Sequence, residues 1–132
     1  MTPLAVLSPW NFLAIGCGAA LGAWLRWGLG LILNPLFTPF PLGTLAANLL
    51  GGYLIGVAVG LFHLHADWPL VWKLAVITGF LGGLTTFSTF SLEIFSQLQS
   101  GNYFWAFTSL LVHVTGSILM TALGFFVVTW LL

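Results

Sequence analysis

The sequence predicts an all-α membrane protein whose four transmembrane helices form a single domain, 1–132. Hydrophobic residues make up 60% of the 132 positions and charged residues only 3%, whereas a soluble domain carries about 25% charged residues. Apolar segments of about 20 to 30 residues recur along the chain, long enough for a tilted helix to cross the hydrocarbon core. Tryptophans lie near the ends of these segments, as is typical of the membrane–water interface. A chain of this kind needs the lipid bilayer as its solvent.

Three short breaks delimit the helices in order. The first break contains three prolines, which stop a helix, the second contains two histidines and a proline, and the third is Ser-Gly-Asn; they are 34–41, 63–69 and 100–102. The four predicted spans between and beside them are 10–33, 42–62, 70–98 and 103–131.

The composition also excludes several function classes. Cys17 is the only cysteine, so no intrachain disulfide and no thiolate metal cluster is expected. The chain has two basic and two acidic side chains and no basic run, which argues against a nucleic acid partner. We find no paired carboxylates, no nucleophile beside a base and no phosphate-binding glycine loop, so the protein is not expected to be an enzyme.

The distribution of positive charge gives the protein no preferred orientation. Lys and Arg near helix ends normally fix the cytoplasmic side, but here Lys73 lies toward the side of the termini and Arg26 toward the opposite side. A chain without this bias can insert both ways, and two opposite copies can pair about an axis in the membrane plane. The count therefore suggests an antiparallel, dual-topology homodimer.

The second span carries one small and polar stripe. Its members recur every four residues and so share a helix face: Thr44, Asn48, Gly52, Gly56 and Gly60. The glycines predict close packing against another helix. Asn48 needs polar partners in hydrocarbon, and it either bonds another helix or donates into a polar path.

The third span is predicted to be broken within the membrane. Residues 79–91 contain paired glycines followed by β-branched and hydroxyl residues, and irregular backbone at this depth must be buried in protein or line a cavity. Freed carbonyls suit a hard cation such as Na⁺, while amides of the restarted helix suit an anion; a packed kink is the alternative. Phe87 and Phe90 follow the break on one helix face and could present electropositive ring edges to an anion.

The fourth span has a second polar stripe, spaced four residues apart, which predicts one wall of a water-filled path: Ser109, His113, Ser117 and Thr121. His113 could carry protons, bind a metal or only satisfy hydrogen bonds. Arg26, in the first span, should face protein, water or a carboxylate. Near a pore mouth it would draw anions, and the alternative is that it only fixes packing through backbone carbonyls. Glu93 could pair with Arg26, help to move protons, or reach the interface.

Two runs resemble the Fluc fluoride channels, also called CrcB-type proteins. They are GTLAANLLGG at 43–52 and TGFLGGLTTFSTFS at 78–91, the latter followed by Glu93. The sequence around Arg26 and the Gly101-Asn102-Tyr103 turn also fit this family. The resemblance covers the whole chain.

The resemblance implies a dual-topology homodimer with two antiparallel pores. Asn48 would donate to fluoride, Phe87 and Phe90 would present ring edges to it, and Ser117 and Thr121 would continue a polar track. Thr44, Ser109 and His113 are placed along the same path, and Arg26 and Glu93 in a vestibule or polar network. Carbonyls of Gly82 and Thr85 from both subunits would bind a central Na⁺ that is structural and is not transported.

We therefore expect a passive, fluoride-selective channel that exports fluoride across a bacterial cytoplasmic membrane and lowers its toxicity. One alternative is a proton-coupled exporter of hydrophobic cations, similar to the small multidrug transporters. Those proteins depend on a buried glutamate in the first span, which this chain lacks. Another alternative is a membrane subunit that transports nothing, in which Asn48 and the two phenylalanines could be replaced without a transport defect.

Overall fold

The computed structural model describes residues 3–132, which form helices and connecting turns and no strand. The helices in chain order are α1 (Pro3–Val6), α2 (Pro9–Leu33) with a 3-10 turn at Asn34–Leu36, α3 (Leu42–Leu64), α4 (Leu70–Lys73), a π-helical segment at Leu74–Leu81, α5 (Gly82–Leu84), α6 (Phe87–Gln99) and α7 (Tyr103–Leu131).

Four stretches are long and apolar enough to cross a membrane, which confirms the predicted number of spans. They are Pro9–Leu36, Leu42–Leu64, Leu70–Gln99 and Tyr103–Leu131, and we call them the first to fourth spans. The third span comprises α4, the π-helical segment, α5 and α6. The chain is thus a multi-pass membrane protein, and many of its large apolar side chains are exposed on the outside, as expected of surfaces that face lipid.

Local chemistry explains where the spans begin and end. The hydroxyl of Ser8 accepts a hydrogen bond from Trp10 N at 3.3 Å and caps α2, whose first residue is Pro9. After α2 the Asn34 side chain accepts from Gly43 N at 2.7 Å, so the proline-containing connection is tied to the first turn of α3. Gly101 has φ 78° in the turn between α6 and α7, a conformation that glycine adopts without a steric penalty.

The glycines of α3 pack against α7, as the stripe predicted. A Cβ atom at Gly52 would lie 2.9 Å from Ser117 O, and one at Gly56 would collide with the backbone at Thr121. Gly124 of α7 is in equally close contact with the α3 backbone at Tyr53. Since contacts advance in the same direction along both helices, α3 and α7 run parallel with their backbones in contact.

The first and third spans form a second parallel pair. Gly18 and Gly22 of α2 lie against the backbone at Ala75 and Phe80, and a Cβ atom at Gly79 would lie 2.7 Å from Ile15 O. The third-span partner is the π-helical segment, which the sequence analysis did not predict. This wider helix brings its backbone against the small residues of α2 directly before the chain unwinds.

Candidate functional site

The third span unwinds at Thr85 and Thr86, inside the interval where the sequence predicted a break. Thr85 (ψ 152°) and Thr86 (φ −148°, ψ 118°) have extended backbones between α5 and α6. Both the backbone N–H and the hydroxyl of Thr85 donate to Leu81 O, at 3.0 and 2.9 Å. The hydroxyl of Thr86 accepts from Thr89 N at 3.1 Å and caps α6. Side chains thus replace part of the lost helical hydrogen bonding.

Asn48 of the neighbouring span supplies two further hydrogen bonds to the break. Its Oδ1 accepts from Thr86 N at 2.8 Å, and its Nδ2 donates to Thr86 O at 3.0 Å. The same Nδ2 lies 3.1 Å from His113 Nδ1 on α7. Because a side-chain amide has two N–H donors, both are engaged in this arrangement. Asn48 therefore joins α3, the break and α7.

A cavity of about 490 Å³ opens beside this junction. It is lined by residues of α3, the third span and α7, among them Asn48, Phe87, Phe90, His113 and Ser117, and no charged side chain is found in its wall within the described part of the chain. Several predicted path residues are therefore brought together at one place.

The two phenylalanines differ in their surroundings. Their ring centroids are 5.6 Å apart in an edge-to-face arrangement. Phe90 is buried and its ring lies 4.5 Å from that of His113. Phe87, in contrast, is 77% exposed on the outside of the single chain. Both rings line the cavity, but Phe90 is covered by protein whereas Phe87 is largely open to the outside of the single chain.

The polar stripe of α7 divides into two kinds of side chain. The hydroxyl of Thr121 donates to Ser117 O at 2.9 Å within its own helix, and Thr121 does not line the cavity. Ser109 and His113 are almost completely buried, and Ser109 Oγ and His113 Nε2 have no hydrogen-bond partner among residues 3–132. Buried polar atoms of this kind are rare in folded proteins, which marks this face of α7 as unusual.

A carboxylate and an amide extend the polar region along α6. Thr44 donates to Glu93 Oε1 at 2.5 Å, and Gln97, one turn later, donates through Nε2 to Pro39 O at 3.0 Å. Glu93 Oε2 and Gln97 Oε1 are buried without a partner in the described residues. The sequence analysis did not select Gln97, although its spacing of four from Glu93 would have placed both on one helix face.

Arg26 and Glu93 are bonded to different partners rather than to each other. The Arg26 Nε donates to Gly83 O at 2.9 Å, so the guanidinium binds a backbone carbonyl of α5 next to the break. Arg26 does not line the cavity. In this structure its contact is with the broken helix itself.

Gly82 and Thr85, the predicted cation ligands, lie at the break and both line the cavity. The hydrogen bonds that cross the break are accepted by Leu81 O, Gly83 O and Thr86 O. Within residues 3–132 the carbonyls of Gly82 and Thr85 accept none of these bonds.

Comparison with known proteins shows the family to which the chain is similar. The model of the CrcB-like protein, Camphor Resistance (CrcB) family matches residues 13–125. Proteins named "Fluoride-specific ion channel FluC" are similar over most of their length: that of Dechloromonas aromatica is 60% identical over 94% of this chain and 92% of its own. Those of Cupriavidus taiwanensis and Nitrosospira multiformis are 59% and 60% identical over 89% of this chain, and 94% and 92% of their own.

Proposed function

The chain belongs to the CrcB-like family, and from this membership we propose that it is a passive, fluoride-selective ion channel. The observation that carries the proposal is the cavity beside the broken third span, which Phe90, His113 and Ser117 line and to which no charged side chain of residues 3–132 contributes. Its close relatives are named fluoride-specific ion channels. A transporter of this family is not expected to catalyse a chemical reaction.

The chemistry of the cavity suits fluoride in particular. Fluoride is small and strongly hydrated, so a path that removes its water must offer closely placed hydrogen-bond donors. A fixed positive charge would hold the ion too tightly for conduction, whereas N–H, O–H and phenyl ring edges carry only partial positive charge. Larger halides fit a narrow path of such groups poorly.

We extend the proposal to an antiparallel homodimer. Phe87 is 77% exposed in the single chain, although it lines the cavity, and Gly82 at the break is also exposed. A second copy over this face would enclose the ring and complete the wall of the path. The single Arg26 and single Lys73 set no orientation, which is what two oppositely inserted copies require.

A sodium ion fits the carbonyls of Gly82 and Thr85. These oxygens are free of the hydrogen bonds that cross the break, and two such sets from an antiparallel pair would provide four neutral oxygen ligands. Na⁺ bound there would interact favourably with the carbonyl dipoles and hold the two broken helices together. Arg26, bonded to Gly83 O between the two ligands, would keep this stretch of backbone in place.

The proposed setting is the bacterial cytoplasmic membrane. Hydrogen fluoride crosses a bilayer as a neutral acid and dissociates inside the cell. The negative interior then drives the anion out through a channel, with about 2.3 kcal/mol per charge for each 100 mV. Export in this way needs neither ATP nor a coupled proton.

The test is anion efflux from liposomes that contain the purified protein, with valinomycin and a K⁺ gradient setting the voltage. A fluoride electrode is read beside a chloride electrode, and empty liposomes serve as the control. We expect fast fluoride release without chloride release. Failure of folded, dimeric protein to release fluoride in Na⁺ buffer would refute the channel, and proton flux driven by a hydrophobic cation would instead indicate the exporter.

A further inference from the structure

The orientation of the Asn48 amide is determined by the broken helix. Its oxygen must face Thr86 N and its nitrogen must face Thr86 O, because the backbone of Thr86 presents one donor and one acceptor. Exchanging the oxygen and nitrogen would set donor against donor and acceptor against acceptor. The position of the Asn48 Nδ2 is therefore fixed without reference to any other side chain.

This orientation decides the hydrogen position on His113. Asn48 Nδ2 lies 3.1 Å from His113 Nδ1, and an amide nitrogen can only donate. His113 Nδ1 must then be the acceptor. The ring is a neutral imidazole whose one hydrogen is on Nε2, since the hydrogen bond made by one ring nitrogen sets the state of the other.

In this arrangement the Nε2–H of His113 is a donor without a protein acceptor among residues 3–132. His113 is 3% exposed and lines the cavity, and its Nε2 has no protein partner among the described residues. Both N–H groups of Asn48 are already engaged with Thr86 O and His113 Nδ1. A buried, neutral N–H beside the Phe90 ring, 4.5 Å away between ring centres, is therefore left without a protein acceptor in a residue that lines the cavity.

We propose that Asn48 is a positioning residue that fixes the Nε2–H tautomer of His113. We propose further that this imidazole N–H donates a hydrogen bond to fluoride in the cavity. The inference rests on the proposed function. It assigns Asn48 an indirect role, in contrast to the direct donation to fluoride that the sequence suggests. Through Asn48 and His113, the backbone at the break thereby determines that the cavity wall carries a hydrogen-bond donor, and not an acceptor, at His113 Nε2.

The tautomer can be measured without any transport. In protein labelled with ¹⁵N-histidine and reconstituted in lipid, we expect His113 to show an unprotonated Nδ1 and a protonated Nε2. The spectrum of His113→Gln identifies its signals among those of the three histidines. Asn48→Asp replaces the donating nitrogen by an acceptor and should move the hydrogen to Nδ1. A protonated Nδ1 in the wild type, or an unchanged tautomer in Asn48→Asp, would overturn the positioning role.

Fluoride efflux through two variants of His113 distinguishes the roles of the two ring nitrogens. The amide nitrogen of a glutamine reaches the place of Nε2, whereas an asparagine reaches only that of Nδ1. We expect fluoride efflux through His113→Gln to be at least about tenfold faster than through His113→Asn, because hydrogen bonds to a charged acceptor are strong. His63→Asn, at an exposed position outside the cavity, controls for the loss of a histidine.

The outcomes distinguish this inference from the function on which it rests. Equal or faster efflux through His113→Asn, with a conducting wild type, would overturn the donor role of Nε2 and leave the channel intact. No fluoride release from the wild type would overturn the proposed function and the donor role together. The ¹⁵N spectrum would still decide the tautomer in that case.

Discussion

Gly52→Ala tests whether the contact between α3 and α7 controls the site. Gly52 lies one turn after Asn48 on α3, and Ser117 lies one turn after His113 on α7. A Cβ atom at Gly52 would be 2.9 Å from Ser117 O, whereas ordinary van der Waals contact begins at 3.4 Å. Because the obstacle is backbone and cannot rotate away, the two helices must separate by about 0.5 Å.

That separation is enough to break the hydrogen bond one turn away. The Asn48 Nδ2–His113 Nδ1 distance is 3.1 Å and would rise to about 3.6 Å, which is too long for a hydrogen bond. The loss of one such bond is worth about 1 kcal/mol, which corresponds to a factor of about five in rate or population. Overpacking of the contact between α3 and α7 should also destabilise the protein by about 1–3 kcal/mol.

The assay is fluoride efflux from liposomes, with the midpoint of SDS-induced unfolding measured on the same preparation. Gly28→Ala is the matched control, since a Cβ atom there has no neighbouring atom within 4 Å. We expect about fivefold slower efflux and a lower unfolding midpoint for Gly52→Ala only. If both variants matched the wild type in efflux and unfolding, close packing of α3 and α7 would not determine the geometry of the site.

Three further predictions follow from the site. Phe87→Ile and Phe90→Ile should each abolish fluoride efflux without changing the elution volume in size-exclusion chromatography. Normal efflux in both variants would refute the proposal that the phenyl ring edges contact fluoride. Arg26→Gln should destabilise the fold by about 1 kcal/mol, since it removes the half-exposed donor that binds Gly83 O; an unchanged unfolding midpoint in SDS would contradict this. Replacing Na⁺ with N-methylglucamine in the buffer should lower the melting temperature of the wild-type protein, and an unshifted melting curve would count against a structural ion.

The helices were predictable from the sequence because local chemistry determines them. Length and hydropathy define the four spans, and the glycine-rich, hydroxyl-rich run at 79–91 contains the break at Thr85 and Thr86. The glycine stripe of α3 predicted a close helix contact, and α7 provides it. The span lengths, the break and the glycine stripe each depend on residues close together in one segment of the sequence.

The partners of the polar side chains were not predictable in the same way. The sequence left open whether Arg26 pairs with Glu93 or bonds backbone carbonyls. In the structure Arg26 bonds Gly83 O, and Glu93 bonds Thr44 instead. Which side chains meet depends on how the spans are packed together, and the π-helical segment alters that packing locally. A pattern of four-residue spacing identifies a helix face but does not say what faces it.

The bonds between Asn48 and Thr86 also bear on how the chain is assembled in the membrane. The two residues are 38 positions apart, so the third span enters the bilayer with backbone groups at Thr86 that its own helix does not satisfy. Such groups are costly in hydrocarbon, and the second span, made earlier in synthesis, already carries the amide that pairs with them. The second and third spans are therefore expected to leave the translocon as a hairpin, with Asn48 acting on biogenesis before any ion is present.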